Sequence, residues 1–289
     1  MIDIRSPLPW IGGKFYSAQT ILQAFPPDHS YDAYVDLFGG AAHILIQKPR
    51  RGHIEVYNDC NQDLVNFWLQ CRDHAPELEG RCKSLPYSRA LYYRYQKSLY
   101  DGTEMDDLER AVRWFYVLRS SFSAHARVSP QGWSAGQKNA RHAPASAYRS
   151  AVDLFAVMQE RLERVMFDCR DFAEVLKQYD RPRTLVYADP PYIDCERYYK
   201  DPDGVTFSVE DHERLAGLLN SSKAYVALSY YPHPLLEGLY PDTKWQRLTW
   251  QTHKHSQMTK STREKATELL LCNYPLPAKQ LMLETGVPA

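Results

Sequence analysis

Short runs of apolar residues recur along the chain, each closed by small or polar residues, and segments of helix length separate them. The runs read as strands over residues 33–38, 54–57, 164–167, 184–188, 225–229, 245–252 and 267–273. Their alternation with helical segments predicts an α/β fold, with a sheet of about seven strands wrapped by helices. The last two runs lie close enough in sequence to pair as an antiparallel hairpin. The first four each deliver polar or small residues at their carboxyl ends: Gly39-Gly40-Ala41-Ala42, Asn58-Asp59, Asp168-Cys169-Arg170-Asp171 and Asp189-Pro190-Pro191-Tyr192.

Between Leu64 and about Arg149 the strand rhythm stops. Two amphipathic helices are expected there, over residues 88–100 and 106–122, the second opened by an acidic first turn. This predicts an inserted, mainly helical subdomain at 67–149, with residues 1–66 and 150–289 forming the two parts of the sheet domain. Residues 123–140 read as two extended arms turning at Pro130-Gln131-Gly132-Trp133.

Charge changes this picture locally and not globally. The 289 residues carry 35 basic and 35 acidic side chains, so net charge points to no partner. Yet Arg119, Arg127, Lys138, Arg141 and Arg149 fall in a stretch without a single acid, and Lys254, Lys260, Arg263 and Lys265 face only Glu264 in the loop of the last hairpin. A composition of 44% hydrophobic and 24% charged residues suits a globular protein and excludes wholesale disorder. Six cysteines without a Cys-x-x-Cys pair, and an N-terminus lacking a basic-then-apolar pattern, point to a reducing cytoplasmic setting. No apolar run approaches the roughly 20 residues that cross a bilayer.

The candidate chemistry sits at the strand ends. Asp189-Pro190-Pro191-Tyr192 follows a buried run, where open α/β sheets bind ligands, and two prolines hold the segment extended. The Asp189 carboxylate and Pro190 carbonyl are hydrogen-bond acceptors and the Tyr192 ring is a stacking plate, a set suited to a planar heterocycle bearing an exocyclic amine. The acceptors take the amine hydrogens and draw the nitrogen lone pair out of ring conjugation. Phe38-Gly39-Gly40-Ala41-Ala42 leaves backbone free for close approach of a ligand. Asp59 reads either as a ribose ligand or as a helix N-cap, a part that Asn58, Asn61 or Asp63 could also play. Asp171 and Phe172 offer a carboxylate and a ring to a purine, or simply another cap. Pro9-Trp10-Ile11-Gly12-Gly13-Lys14 lacks phosphate-loop spacing, and His253 and His255 have no nearby cysteine to suggest zinc.

In this order the pieces resemble the α-group, or Dam-like, DNA adenine-N6 methyltransferases. The resemblance rests on Trp10-Ile11-Gly12-Gly13-Lys14, Asp36-Leu37-Phe38-Gly39-Gly40-Ala41-Ala42, Asn58-Asp59-Cys60-Asn61-Gln62-Asp63-Leu64, Asp189-Pro190-Pro191-Tyr192, Asp211-His212-Glu213-Arg214-Leu215-Ala216 and Glu268-Leu269-Leu270-Leu271-Cys272-Asn273-Tyr274. It implies a Rossmann-like methyltransferase sheet with an antiparallel last strand, S-adenosylmethionine as methyl donor, and an inserted DNA-recognition subdomain. It implies that Trp10, Gly12, Gly13, Lys14, Asp36, Phe38, Gly39, Gly40, Ala41, Asp59, Asp171, Phe172 and Asp189 surround the cofactor, and that Asp189, Pro190, Pro191 and Tyr192 receive a flipped-out adenine. Arg119, Phe122, Arg127, Trp133, Lys138, Lys260 and Arg263 are the expected DNA contacts. The family's Asn-Arg-x-x-Phe-Asn-Gly signature stands here as Leu118-Arg119-Ser120-Ser121-Phe122-Ser123-Ala124. Serine does not pair with an adenine edge as an amide does, so the resemblance carries no recognition sequence.

The expected partners are double-stranded DNA and S-adenosylmethionine, with no metal and no membrane, in a monomer or weak dimer on nucleoid DNA. RNA or a protein glutamine amide also presents a planar amine to such a pocket, and a DNA-binding module that has lost catalysis is a further alternative. The basic insertion favours nucleic acid, and the intact Asp189 and Asp59 favour an enzyme. A dehydrogenase is disfavoured because the first turn lacks Gly-x-Gly-x-x-Gly.

Overall fold

Val35, Val56, Val186 and Val226 lie in one row across four neighbouring parallel strands, and all four are fully buried. Tyr34, Tyr57, Leu185 and Tyr187 alternate with them onto the opposite face and are equally enclosed. A sheet covered on both faces needs apolar side chains on both, which is why its strands read as continuous hydrophobic runs. The computed structural model describes residues 4–51, 54–121, 132–135, 143–195, 207–253 and 265–277.

The strands are β1 (Ala33–Asp36), β2 (Ile54–Asn58), β3 (Val165–Asp168), β4 (Thr184–Ala188), β5 (Tyr225–Tyr230), β6 (Gln246–His253) and β7 (Lys265–Cys272), in the order β3-β2-β1-β4-β5-β7-β6. Each expected strand is present, its bounds shifted by a residue or two at most. β7 runs antiparallel between β5 and β6.

On one face lie α1 (Ala18–Ala24), α2 (His43–Gln47) and α3 (Gln62–Asp73), followed by α4 (Ala75–Ser84), α5 (Arg89–Tyr100), α6 (Asp107–Ser120), α7 (Pro144–Val152) and α8 (Phe155–Leu162). On the other lie α9 (Phe172–Tyr179), α10 (Val209–Asn220) and α11 (Leu235–Leu239). Among the described residues no helix is long and apolar enough to cross a membrane.

The expected helices over 88–100 and 106–122 are α5 and α6, N-capped by Ser88 and Asp106. α6 ends at Ser120, earlier than the pattern indicates, and Phe122 lies outside the described residues. Two further helices of the insertion escaped the sequence reading. α4 and α7 are short, each begins with proline in its first turn, and each buries only three residues. The expected division after residue 66 falls inside α3, which runs unbroken from Gln62 to Asp73 and buries Leu64, Val65, Phe67, Trp68 and Cys71. The inserted helices thus continue the core of the sheet: Phe67 stacks on Phe115 of α6 at 5.3 Å, and Phe115 meets Phe155 of α8 edge-on at 4.9 Å.

At the amino edge of the sheet a buried ion network pins α8 down. Arg161 donates to both Glu55 oxygens at 2.7 and 3.0 Å, and also to the carbonyls of Leu45, Ile46 and Lys48. Lys48 pairs with the same Glu55 at 3.3 Å.

Candidate functional site

β1 and β4 are neighbours, and from them the strand order runs outward in opposite directions. That reversal leaves a crevice at the carboxyl edge, because the chain leaves the two strands toward opposite sides. A cavity of about 390 Å³ opens there. The N-terminal segment contributes Trp10, Gly12, Gly13 and Lys14; the turn after β1 contributes Phe38, Gly39, Gly40 and Ala41. Asp36, Asp59, Asp171, Phe172 and Asp189 complete the set of expected cofactor residues, all of which line this one cavity.

The glycines also make room for the protein's own side chains. A Cβ on Gly39 would run into the Tyr57 ring, and one on Gly40 would lie 2.9 Å from Trp10 Nε1, so their bare backbone admits the protein's own aromatic rings. The Gly40 carbonyl accepts from Tyr57 Oη at 2.7 Å and Trp68 Nε1 at 3.1 Å, and its N–H donates to Asp59 Oδ2 at 3.0 Å. The turn is therefore clamped on both sides of one residue. Ala42 next to it adopts a left-handed conformation with φ 56°.

Asp59 is not the cap of α3. Asn61 caps it by accepting from the Leu64 N–H, while Asp59 uses its second oxygen to accept from the Asn61 N–H at 2.9 Å. Asp171 does cap α9, through Ala173 N–H at 2.9 Å, and it also takes a two-pronged contact from Arg214 at 3.0 and 2.8 Å. The Arg214 guanidinium lies 4.2 Å from the centre of the Phe172 ring. Phe172, Phe38 and Phe207 stand 5.7 to 5.8 Å from one another and form an aromatic wall.

At the inner end the charges are buried. Asp36 is 2% exposed, and burial followed by the nearby Asp189 carboxylate holds its carboxyl well above the usual range. Burial also raises Asp189, which the Lys14 ammonium opposes from 3.0 Å. Lys14 Nζ further donates to the Gly12 carbonyl at 2.8 Å and lies 4.8 Å from the centre of the Tyr192 ring. Tyr192 is not the open plate that the sequence suggests. It is 4% exposed, with Tyr231 edge-on at 4.7 Å and its hydroxyl donating to Glu268 Oε2 at 3.0 Å. Pro190 is buried beside it, and Pro191 lines the cavity.

Two expected DNA contacts fall within the described residues, and both are partly buried and hold contacts within the protein. Arg119 donates to the Ala147 carbonyl of α7 at 2.7 Å, and desolvation lowers its pKa. It latches α6 to α7. Trp133 bridges Ser121 as part of an extended arm, not as a turn residue, and packs 5.5 Å from Tyr87 beneath Arg89. Phe122, Arg127, Lys138, Lys260 and Arg263 lie outside the described residues.

Glu268, His43, Arg214 and Tyr231 went unnoticed as site residues. His43 lines the cavity, and burial followed by the Lys14 charge pushes it down to about 4, so it is neutral at pH 7. Only Arg214 and Glu268 carried a signal, as members of the segments 211–216 and 268–274.

The family model for D12 class N6 adenine-specific DNA methyltransferases matches residues 10–254. The type II methyltransferase M1.LlaDCHI of Lactococcus lactis subsp. cremoris is 27% identical over 94% of this chain and 96% of its own length. A DNA adenine methylase of Haemophilus influenzae is 23% identical, covering 86% of each chain. A solved methyltransferase structure from Agrobacterium tumefaciens, described as SAM-dependent, shows a distant likeness. Its TM-score is 0.41 at 10% identity, over 91% of this chain and 62% of that one.

Proposed function

The chain belongs to the D12 class of N6 adenine-specific DNA methyltransferases, and on that premise we propose how its residues divide the work. The enzyme methylates the exocyclic N6 amine of adenine in DNA, with S-adenosylmethionine as donor. When bound, the donor supplies a methyl group on a cationic sulfonium. The cavity suits such a ligand. Asp36, Asp59, Asp171 and Asp189 offer carboxylates to a cation, Phe38, Phe172 and Phe207 offer faces to a purine, and about 390 Å³ is the size of a small-molecule site.

In this reading Asp59 takes the ribose hydroxyls with lone pairs left over from its two backbone contacts, and Phe172 with Asp171 flanks the purine. Asp36 and the segment Trp10, Gly12, Gly13 and Lys14 surround the cationic end, backed by Gly39, Gly40 and Ala41. The target adenine must leave the duplex, because its amine is unreachable inside a base pair. Asp189 and the Pro190 carbonyl then accept the amine hydrogens, Tyr192 meets the ring, and Pro191 keeps the segment extended. The residues hold and polarise the amine; the reactivity belongs to the donor. The helical insertion that follows α3 carries target recognition, and Arg127, Lys138, Lys260 and Arg263 grip phosphates while Phe122 meets the duplex, with affinity that falls as salt rises. We place the enzyme on nucleoid DNA in the cytoplasm.

The observation that carries this reading is that Asp189 lines the same cavity as the cofactor residues, so the acceptor of the amine borders the donor's site. Radiolabelled S-adenosylmethionine and unmodified genomic DNA test it, with base analysis and single-molecule mapping of the product. Label in N6-methyladenine at one short sequence is expected. Label in RNA or protein but not in DNA would overturn the assignment.

A further inference from the structure

Asp189 and Tyr192 do not stand open for a base. One ammonium, Lys14 Nζ, lies 3.0 Å from Asp189 Oδ1 and 4.8 Å from the centre of the Tyr192 ring. It thereby occupies the two positions that the proposed function gives to the flipped adenine, beside the carboxylate and over the ring. A purine amine and this ammonium compete for the same acceptor.

A second carboxylate lies beside the pair. Glu268 projects from β7, is 5% exposed, and accepts the Tyr192 hydroxyl at 3.0 Å. Its charge interacts with both Lys14 and Asp189. We propose that Lys14 is a placeholder in the base-free enzyme and that Glu268 is the positioning residue that receives its ammonium when adenine enters.

Electrostatics favours the exchange. A buried ammonium separated from its carboxylate with no other counter-charge is strongly disfavoured, so without Glu268 the base would have to enter against that penalty. Glu268 meets the same Tyr192 side chain that Lys14 covers, and its charge already acts on Lys14, so the ion pair is exchanged and not broken. Lysine suits the part, since its flexible stem carries three rotatable donors. The exchange also serves the chemistry. Positive charge develops on the amine nitrogen as the methyl arrives, and an ammonium still seated on Asp189 would oppose it.

This inference rests on the proposed placement of adenine at Asp189. The test uses the full-length enzyme without methyl donor and a duplex carrying 2-aminopurine at the mapped target, whose emission rises when the base leaves the stack and enters the protein. E268Q is expected to lower base insertion at least about tenfold, with methyl transfer falling in parallel and titrated S-adenosylmethionine binding unchanged. K14M, which has no ammonium to displace, is expected to insert the base more readily than wild type, and adding E268Q to K14M is expected to change nothing further. Wild-type insertion in E268Q overturns the exchange, as does an equal loss from E268Q in both backgrounds, which would mean that Glu268 acts only through Tyr192. Should E268Q fail to fold, K14M decides alone: reduced insertion would show that Lys14 holds the base and does not yield to it. A wild-type enzyme that transfers no methyl to DNA adenine would sink the proposed function instead, a result distinct from transfer that proceeds with insertion indifferent to Glu268.

Discussion

Asp59 at the end of β2 reaches back to the turn after β1 and accepts the Gly40 N–H at 3.0 Å. The same carboxylate accepts the Asn61 N–H, so one side chain ties the two loops that border the cavity. Hydrogen bonds to a charged acceptor contribute about 1.5–3 kcal/mol each when enclosed. Asp59 is half-buried, which holds each of the two bonds to the lower end of that range, so Asp59→Ala should cost about 3 kcal/mol by urea unfolding. Titrated affinity for S-adenosylmethionine should fall by more than about tenfold, because the turn loses its clamp along with the ribose ligand. Asp59→Asn keeps one oxygen acceptor and should recover most of the stability while recovering less of the affinity. Equal recovery of both would mean that the carboxylate serves only the loops.

Ala42 is a strained residue whose replacement by glycine should be nearly silent. Its left-handed φ of 56° costs an L-residue about 1–2 kcal/mol. Glycine would relieve that strain, but it would remove a fully buried methyl group, worth about 0.8 kcal/mol, and add about 0.5–1 kcal/mol of chain entropy. The terms oppose, so Ala42→Gly should stay within about 1 kcal/mol of wild type. Ala42→Val adds a branched side chain to the same backbone and should cost at least about 2 kcal/mol in a chemical denaturation experiment.

The sequence reading succeeded where a single physical rule governs a whole segment. Strands buried on both faces must be continuously apolar, and turns at a ligand-binding edge must be small or polar, so β1 to β5 are legible as runs and the closing residues of β1 to β4 with them. It failed where the role of a residue depends on a partner far away in sequence. Glu268 precedes the apolar run Leu269–Cys272 and looks like a solvent-facing strand position. Only the pairing of β7 with β5 brings it to Tyr192, 76 residues earlier. Arg119 occupies the last turn of α6, where a basic side chain commonly faces outward to complement the helix dipole, and only the packing of α7 turns it inward. The aromatic partners of Gly39 and Gly40 were hidden for the same reason, because Tyr57 and Trp10 approach from other elements.

The Arg161 network should matter to stability and not to turnover. It lies at the amino edge of the sheet, across from the cavity, and joins α8 to α2 and β2. Removing one member of a buried ion pair typically costs 3–5 kcal/mol, because the remaining charge is left without compensation. Lys48 still faces Glu55 after Arg161→Ala, so the loss should be about 3 kcal/mol in a urea titration. The rate of methyl transfer at a temperature where the variant remains folded should change by less than about twofold, as expected of distant sites. A large loss of turnover in folded protein would show that α2 carries a change from this edge to the cavity.

His43 makes the enzyme lose stability in acid by a route that a single substitution can isolate. Its folded-state value is pushed down to about 4 by burial and by the Lys14 ammonium, against 6.5 in an unfolded chain. Between those values the unfolded chain binds a proton that the folded protein refuses, so stability rises with pH across this window and is fully present above 6.5. Falling pH removes it until the imidazole is also protonated in the folded protein near 4, with a total effect of roughly 3 kcal/mol at most. The raised carboxyl groups of Asp36, Asp189 and Glu268 push the other way, since they favour the folded state in acid, so the wild-type profile alone is a mixture of signs. The difference between wild type and His43→Gln separates them, because both proteins share the carboxyl groups. The His43→Gln unfolding free energy, measured from pH 7 down to pH 4, should fall less steeply than that of wild type. Parallel profiles would mean that the imidazole is accessible enough in the folded protein to titrate near its ordinary value.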